Sequence, residues 1–258
     1  MKKRRLLNKL LVPLFIILAI CGAFSCNGRK TGYAVAVSAN MEWKAVKKAF
    51  PGEKYIATPW GEYFFRQTGK HNVLFFHEGW GKVSAAGATQ YLIDRFDPEV
   101  IINLGTCGGF EGSINRYDIV LADTTVIYDI VEAMGDSKEA IADYSAAIDL
   151  SWLKGNFPFP VIKTRLVSAD RDLKPADIEK LKSDYRAVAG DWESGAMAYV
   201  AKRNNKKIII LRGVSDLVSP DSGEAYGNFD LFVQRTDSVM QNLLNRLPGL
   251  LDYLEGCK

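Results

Sequence analysis

VIINLGTCGGF, running from Val100 to Phe110, organises everything around it. Val100, Ile101, Ile102 and Leu104 are apolar with Asn103 among them, and Gly105, Gly108 and Gly109 follow at once. A β-branched run that gives way to glycines has the pattern of a buried parallel strand whose carboxyl end opens into a ligand crevice. Residues without a Cβ suit the turn expected there, because they let amides approach a ligand and can take positive φ. Asn103, Thr106 and Cys107 would then face whatever is bound. A glycine turn of this kind serves equally well as plain structure, so the stretch speaks to the fold before it speaks to function.

Towards the N-terminus, Tyr33–Val37 (YAVAV) reads as a strand and Glu42–Phe50 as the helix after it. Tyr63–Arg66 and Val73–Phe76 are β-rich and flank Gly69-Lys70, a hairpin signal. Gly79-Trp80-Gly81 then turns the chain into a helix with Ala85, Ala88, Leu92 and Phe96 on one face. Towards the C-terminus come strand regions at Asp118–Ile130 and Val161–Ser168, helices at Ala176–Tyr185 and Glu193–Asn204, and a strand at Lys207–Val214. Met240, Leu243, Leu244, Leu247, Leu251 and Leu254 close the chain as an amphipathic helix that Pro248 should bend or restart. Strands alternating with helices predict an α/β domain with a largely parallel sheet covered on both faces. It occupies residues 33–258, with no repeat or low-complexity linker.

The first residues, MKKRRLLNK, are basic and without acids, and they run into an apolar core from Leu10 to Phe24. That core is shorter than the roughly 20 residues of a membrane helix, so residues 1–25 read as a signal peptide. Cys26 directly follows Ala23-Phe24-Ser25 and is similar to the lipidated cysteine of bacterial lipoproteins. Ala23 and Phe24 stand where a leucine and a small residue are usual, so a secreted protein starting near Cys26 is the alternative. Residues 26–32 would be a short tether, and the protein would be exported and periplasmic, lipid-anchored at the membrane. Without the five basic leader residues Lys2, Lys3, Arg4, Arg5 and Lys9, the formal charge of +3 becomes −2. The basic whole-chain balance therefore does not point to nucleic acid. Cys107 and Cys257 suit neither a disulfide nor a metal site. With His71 and His77 the only histidines, no zinc site is expected and no cofactor is called for.

Three acids fall just past expected strand ends: Glu42, Glu193 in DWESGAMA, and Asp216 after IIILRGVS beside Ser215. Each has a plain alternative: a solvated helix residue for Glu42, a helix-dipole acid for Glu193 and a loop cap for Asp216. Their grouping around one glycine-rich segment favours chemistry. Trp80, between Gly79 and Gly81, would wall a pocket or sit in the core.

NLGTCGG, GWGKV, VSADRD, DWESGAMA and RGVSDLVS, in this order, resemble the nucleoside phosphorylase and nucleosidase superfamily, nearest to its 5′-methylthioadenosine/S-adenosylhomocysteine nucleosidases. The resemblance covers the chain from Tyr33 to the last helix. It implies a three-layer α/β/α fold around a mixed, mostly parallel sheet that curls into a distorted barrel, and a homodimer or higher homo-oligomer. It makes Asp216 the acid that protonates N7 of a leaving purine, with Ser215 beside it. Glu193 would grip the ribose hydroxyls, with Trp192 in the place of a methionine against the sugar. Glu42 would orient and deprotonate the attacking water, while Thr106, Gly108, Asp172 and Trp80 line the substrate site. These types suit cleavage through an oxocarbenium-like state, in which the base needs a proton and the sugar needs nearby negative charge. Phosphorylase relatives carry an arginine just ahead of the glycines and another after the first strand. Here those places hold Asn103 and the SANMEW loop, Ser38–Trp43, so water is favoured over phosphate as nucleophile. Tyr128–Trp152 does not resemble the nucleosidase segment that completes the 5′ pocket and dimer interface, and Asp172 replaces an aromatic that stacks on the purine. Purine nucleosides generally, or a futalosine-like compound, stay open as substrates. A phosphate-dependent purine nucleoside phosphorylase is one alternative, and a non-catalytic nucleoside-binding lipoprotein, which would have no use for Glu42, is another.

Overall fold

A computed structural model describes residues 31–258; the leader of residues 1–25 and the lipidation site Cys26 lie outside the described residues. In chain order the elements are β1 (Tyr33–Val37), α1 (Asn40–Ala49), β2 (Ile56–Ala57), β3 (Glu62–Thr68), β4 (His71–His77) and α2 (Lys82–Phe96). Next come β5 (Val100–Phe110), β6 (Ile119–Ile127), α3 (Ser137–Tyr144), β7 (Ala146–Ala147) and β8 (Ile162–Ser168). A 3-10 turn at Pro175–Asp177 leads into α4 (Ile178–Tyr185), followed by β9 (Ala187–Asp191), α5 (Ser194–Arg203), β10 (Lys207–Val218) and α6 (Phe229–Glu255).

The sheet runs β10-β6-β8-β9-β5-β1-β4-β3-β2, and a further pairing of β10 with β5 closes its first part into a ring. β1 is parallel to β4 and β5, β10 is parallel to β5, and β8 is parallel to β6 and β9. β9 against β5, β6 against β10 and the β3–β4 hairpin are antiparallel. The result is a mixed, mostly parallel sheet curled into a barrel at one side.

Alternation along the strands builds the layers. Tyr33, Val35 and Val37 of β1, with Val100, Ile102 and Leu104 of β5, pack against Trp43 and Val46 of α1 and the leucines of α6. Ala34, Ala36, Ile101, Ile208 and Ile210 point the other way, onto Ala85, Ala88 and Leu92 of α2 and Met197, Ala198 and Ala201 of α5. Helices thus cover both faces of the sheet, the three-layer α/β/α arrangement.

Two expectations fail here. The glycines of the opening segment are not a turn: β5 continues to Phe110, and none of Gly105, Gly108 and Gly109 has positive φ. They are in the strand because a side chain would have no room. A Cβ at Gly109 would lie 2.7 Å from both Ile114 and Val214, closer than real Cβ contacts. Pro248 does not restart the closing helix either, for α6 is continuous over 27 residues. Pro248 is exposed, while the buried Leu247 and Leu251 beside it keep both halves on the sheet.

Candidate active site

The site begins where β5 changes partners. Its first half, as far as Asn103, pairs with β1, and β9 takes over on the same side at Gly108. The residues between have no strand there, so their backbone groups turn elsewhere. Thr106 donates from its amide to Glu42 Oε1 at 2.6 Å and from its hydroxyl to the same oxygen at 2.8 Å. Glu42 lies in the first turn of α1, where exposed amides favour an acid, and its Oε2 accepts the Ala39 N–H at 3.3 Å. Gly105 is required at this spot. A Cβ on it would fall 1.9 Å from Arg212 Nη1 and 2.8 Å from Glu42 Oε1.

Arg212, in the middle of β10, is fully buried and is the hub of the acids. Its Nη1 lies 3.5 Å from Glu42 Oε1, its Nε 2.9 Å from Asp191 Oδ2 and its Nη2 3.9 Å from Glu193 Oε2. Asp191 ends β9 and is held by the Ser168 hydroxyl at 2.6 Å and the Ser194 hydroxyl at 2.9 Å. Glu193 precedes the first turn of α5, and its Oε1 accepts the Gly81 N–H at 3.2 Å. Burial pushes the Glu42 carboxyl above the usual range, opposed by Arg212 and the Thr106 donors. Burial likewise pushes Glu193 up to about 8. In a dry pocket a charged carboxylate loses hydration that one guanidinium only partly replaces.

Asp216 sits two residues before the end of β10, at an irregularity in the register with β5 between Val214 and Asp216. Burial raises its pKa, and the Ser215 hydroxyl donates to its Oδ1 at 2.6 Å. A cavity of about 720 Å³ joins Glu42, Thr106, Cys107 and Gly108 to Asp191, Trp192, Glu193, Ser215 and Asp216. Asp172, Leu173, Tyr226, Phe229 and Phe232 line its remainder. At the mouth Trp80 and Trp192 lie with ring centroids 5.0 Å apart at 34°. Trp80 is 61 % exposed, which rules out a core role.

Every residue expected at the substrate site therefore faces this one cavity: Glu42, Thr106, Gly108, Asp172, Trp80, Trp192, Glu193, Ser215 and Asp216. Asn103 is the exception among residues expected to face a ligand, since it is buried and donates to the Ala36 carbonyl at 3.1 Å instead. Arg212 and Asp191 belong to the buried charge cluster beside the cavity, and the motifs alone did not single them out. The signal for Arg212 was present: an arginine inside IIILRGV must be buried with the strand, and a buried guanidinium needs acids around it. Cys107 and Cys257 are both free thiols.

The family model of the Phosphorylase superfamily matches residues 32–247. The chain belongs to this superfamily. Among curated relatives, the 5′-methylthioadenosine/S-adenosylhomocysteine nucleosidase of Buchnera aphidicola is 30% identical over 190 residues, covering 69% of this chain and 81% of that protein. The enzyme of the same name from Anoxybacillus flavithermus is 29% identical over 192 residues, covering 68% of this chain and 82% of that protein. Solved structures agree on the superfamily fold. The Helicobacter pylori nucleosidase with butyl-thio-DADMe-Immucillin-A superposes with a TM-score of 0.71 at 15% identity, over 86% of this chain and 98% of that one. The Arabidopsis thaliana 5′-methylthioadenosine nucleosidase in apo form also gives 0.71, at 22% identity over 88% and 98%.

Proposed function

We propose that this phosphorylase-superfamily member is a purine nucleoside N-ribosyl hydrolase, a nucleosidase of the 5′-methylthioadenosine/S-adenosylhomocysteine kind. The observation that carries it is the placement of two acids of opposite task in one cavity. Glu42 is tied to Arg212 and Thr106, and Asp216 is set apart from them beside Ser215. Such a division lets one carboxyl give a proton while another takes one at the same pH.

In the reaction the C1′–N9 bond breaks, its electron pair moves into the purine, and Asp216 delivers a proton to N7. Burial suits Asp216 to this, because it keeps the proton on the carboxyl towards neutral pH. Glu193 binds the ribose hydroxyls as the sugar takes on oxocarbenium-like character. Water then attacks C1′ and yields its proton to Glu42, whose desolvation strengthens it as a base. Thr106 and Arg212 hold that base in place. Phosphate suits the site less well. Arg212, behind the cavity wall, is matched by Asp191 and Glu42, and Arg171, which lines the cavity, is bonded to Asp177 at 2.7 Å, so a dianion would meet acids rather than a spare cation.

Purified protein incubated with adenosine, inosine and 5′-methylthioadenosine, with and without phosphate, should release free base without phosphate. Glu42→Gln should lower that turnover by about 10²- to 10⁴-fold. Strict phosphate dependence would replace hydrolysis by phosphorolysis, and binding without release would point to a nucleoside receptor.

We further propose export and lipid anchoring through Cys26, supported by the basic and apolar leader. The full chain should partition with membranes and Cys26→Ala should not; equal partitioning would overturn the anchor. We propose self-association as a homodimer or higher oligomer on the family resemblance. Sedimentation showing only monomer would remove it.

A further inference from the structure

Backbone hydrogen bonds fix where the tether meets the domain. Thr31 donates to the Phe96 carbonyl at 3.0 Å and accepts from the Glu99 N–H at 2.9 Å, and Gly32 accepts from Val100 at 3.1 Å. The chain therefore enters between the last turn of α2 and the first residue of β5. Tyr33 pairs with Val73 and Val100, and Val100 with Lys207, so β1, β4, β5 and β10 share this entry level. The cavity lies towards the other ends of these strands, at Ala39, at Thr106 to Gly108 and at Ser215 and Asp216.

Two helices measure the separation. α2 has 15 residues, or about 22 Å; its last residue, Phe96, holds Thr31, while the Gly81 N–H just before its first residue bonds Glu193 in the cavity. α6 has 27 residues, or about 40 Å; Phe229 at its start lines the cavity, and Glu255 at its end accepts the Tyr33 hydroxyl at 2.9 Å. Between Cys26 and Thr31 the sequence has only Asn27, Gly28, Arg29 and Lys30, and those five steps span at most about 18 Å. An anchor at Cys26 reaches the entry end of the domain and falls short of the cavity.

The entry end also has chemistry suited to lipid headgroups. A groove of about 330 Å³ is cut into it, with Glu99, Trp152, Lys206, Lys207 and Lys258 in its lining. Lys206 pairs with Asp97, and Lys258 with Glu99 and Glu255. Lys207 is exposed, stands over the Trp152 ring at 4.7 Å and has no carboxylate partner among the described residues. Arg29 and Lys30 add two cations between this surface and Cys26. Tryptophan suits the boundary between lipid and water, and lysines beside it are drawn to an anionic leaflet.

We infer that the entry end is a membrane-facing surface: it rests on the bilayer that holds Cys26, with Lys207 and Trp152 towards the headgroups, and the cavity opens away from the lipid. This rests on the lipid anchor proposed above and not on the nucleosidase chemistry. It also bears on the substrate class. A nucleoside dissolved in the aqueous compartment can enter the cavity, whereas one carried on a lipid of the same membrane is held at the wrong end of the domain.

The test uses protein expressed from the full chain, extracted from membranes and reconstituted into phosphatidylethanolamine–phosphatidylglycerol vesicles that carry an energy acceptor on their headgroups. A donor dye is placed on Arg95→Cys, in the last turn of α2, or on Asp230→Cys, in the first turn of α6. Both positions are exposed and have no side-chain partner among the described residues. Cys107 and Cys257 are buried, and protein without an added cysteine, labelled in parallel, supplies the background. Only protein that floats with the vesicles is read. Energy transfer from position 95 should exceed that from position 230 severalfold. Equal transfer, or more from position 230, overturns the orientation and leaves the anchor standing. Protein that does not float with the vesicles overturns the anchor and the inference with it.

Discussion

The two ends of the cavity are built on opposite plans. At the closed end Glu42, Asp191 and Glu193 surround Arg212, all of them less than 9% exposed, and each acid has a designated donor. At the open end Trp80 is 61% and Phe229 66% exposed, and Asp172 is unpaired. The closed end is finished before substrate arrives, and so resembles a preorganised catalytic centre whose dipoles need no rearrangement. The open end leaves apolar surface and an acceptor for a ligand to complete, which suits recognition of the substrate's variable parts.

The hardest blow to this contrast is Arg212→Met. Removing the hub strands three acids in a buried space, and breaking a buried pair costs about 3–5 kcal/mol. Urea unfolding should show that loss together with loss of turnover. Near wild-type stability would mean that the acids are held by their other donors and that the hub is dispensable.

Asp216→Asn comes next and probes the boundary between the ends. Adenosine cleavage should drop by about 10²- to 10⁴-fold while binding stays within about tenfold. A nitrophenyl riboside, whose leaving group needs no proton, should recover much of the rate. Because burial raises the Asp216 pKa, the protonated form persists to higher pH and is lost as pH rises, so wild-type kcat/KM on adenosine should fall on the alkaline side. That limb should be missing when the variant acts on the nitrophenyl riboside. Equal impairment on both substrates would reduce Asp216 to a shaping role.

Glu78→Gln sharpens the account of the closed end through stability. Glu78 is 0% exposed, its Oε1 accepts from Thr89 at 3.1 Å, its Oε2 has no partner, and burial pushes its pKa up to about 8. With the folded value above the ordinary 4.5, the folded protein holds the extra proton between those two pH values, and stability falls as pH rises through them. The glutamine variant should flatten that fall by ~1–3 kcal/mol between pH 5 and pH 8. Parallel pH profiles for both proteins would mean that Glu78 is ionised in the fold.

The smallest effect belongs to the rim. Trp80→Ala should leave stability within about 0.5 kcal/mol and raise KM by about 2- to 10-fold, with kcat following less. A kcat loss as large as that of Asp216→Asn would show that the mouth takes part in the chemistry.

Much of this arrangement was legible in the residues. The apolar spacing of Ala85, Ala88, Leu92 and Phe96 located α2 and its buried face, and the ordered motifs placed Glu42, Glu193 and Asp216 in one site. What misled was the meaning of glycine. A turn and a tightly packed strand both call for it, and only the neighbours of Gly105 and Gly109, Arg212 and Val214, tell the cases apart. Those neighbours come from β10, about a hundred positions along the chain. Arg212 was missed for a related reason. Its alternation within IIILRGV marks it as inward, but the acids that make it tolerable lie on α1, β9 and the start of α5.

The change of partners along β5 also bears on how the molecule assembles. β5 holds β1 from the start of the described chain and β10 from near its end, and β9 joins only at its last residues. Few of these pairings are local in sequence, so closing the ring carries a large entropic cost. The closed ring keeps Glu42, Asp191, Glu193 and Arg212 out of water. The amide of Thr106, bonded to a side chain where a strand ladder would otherwise hold it, should then exchange its hydrogen slowly only while the ring is closed.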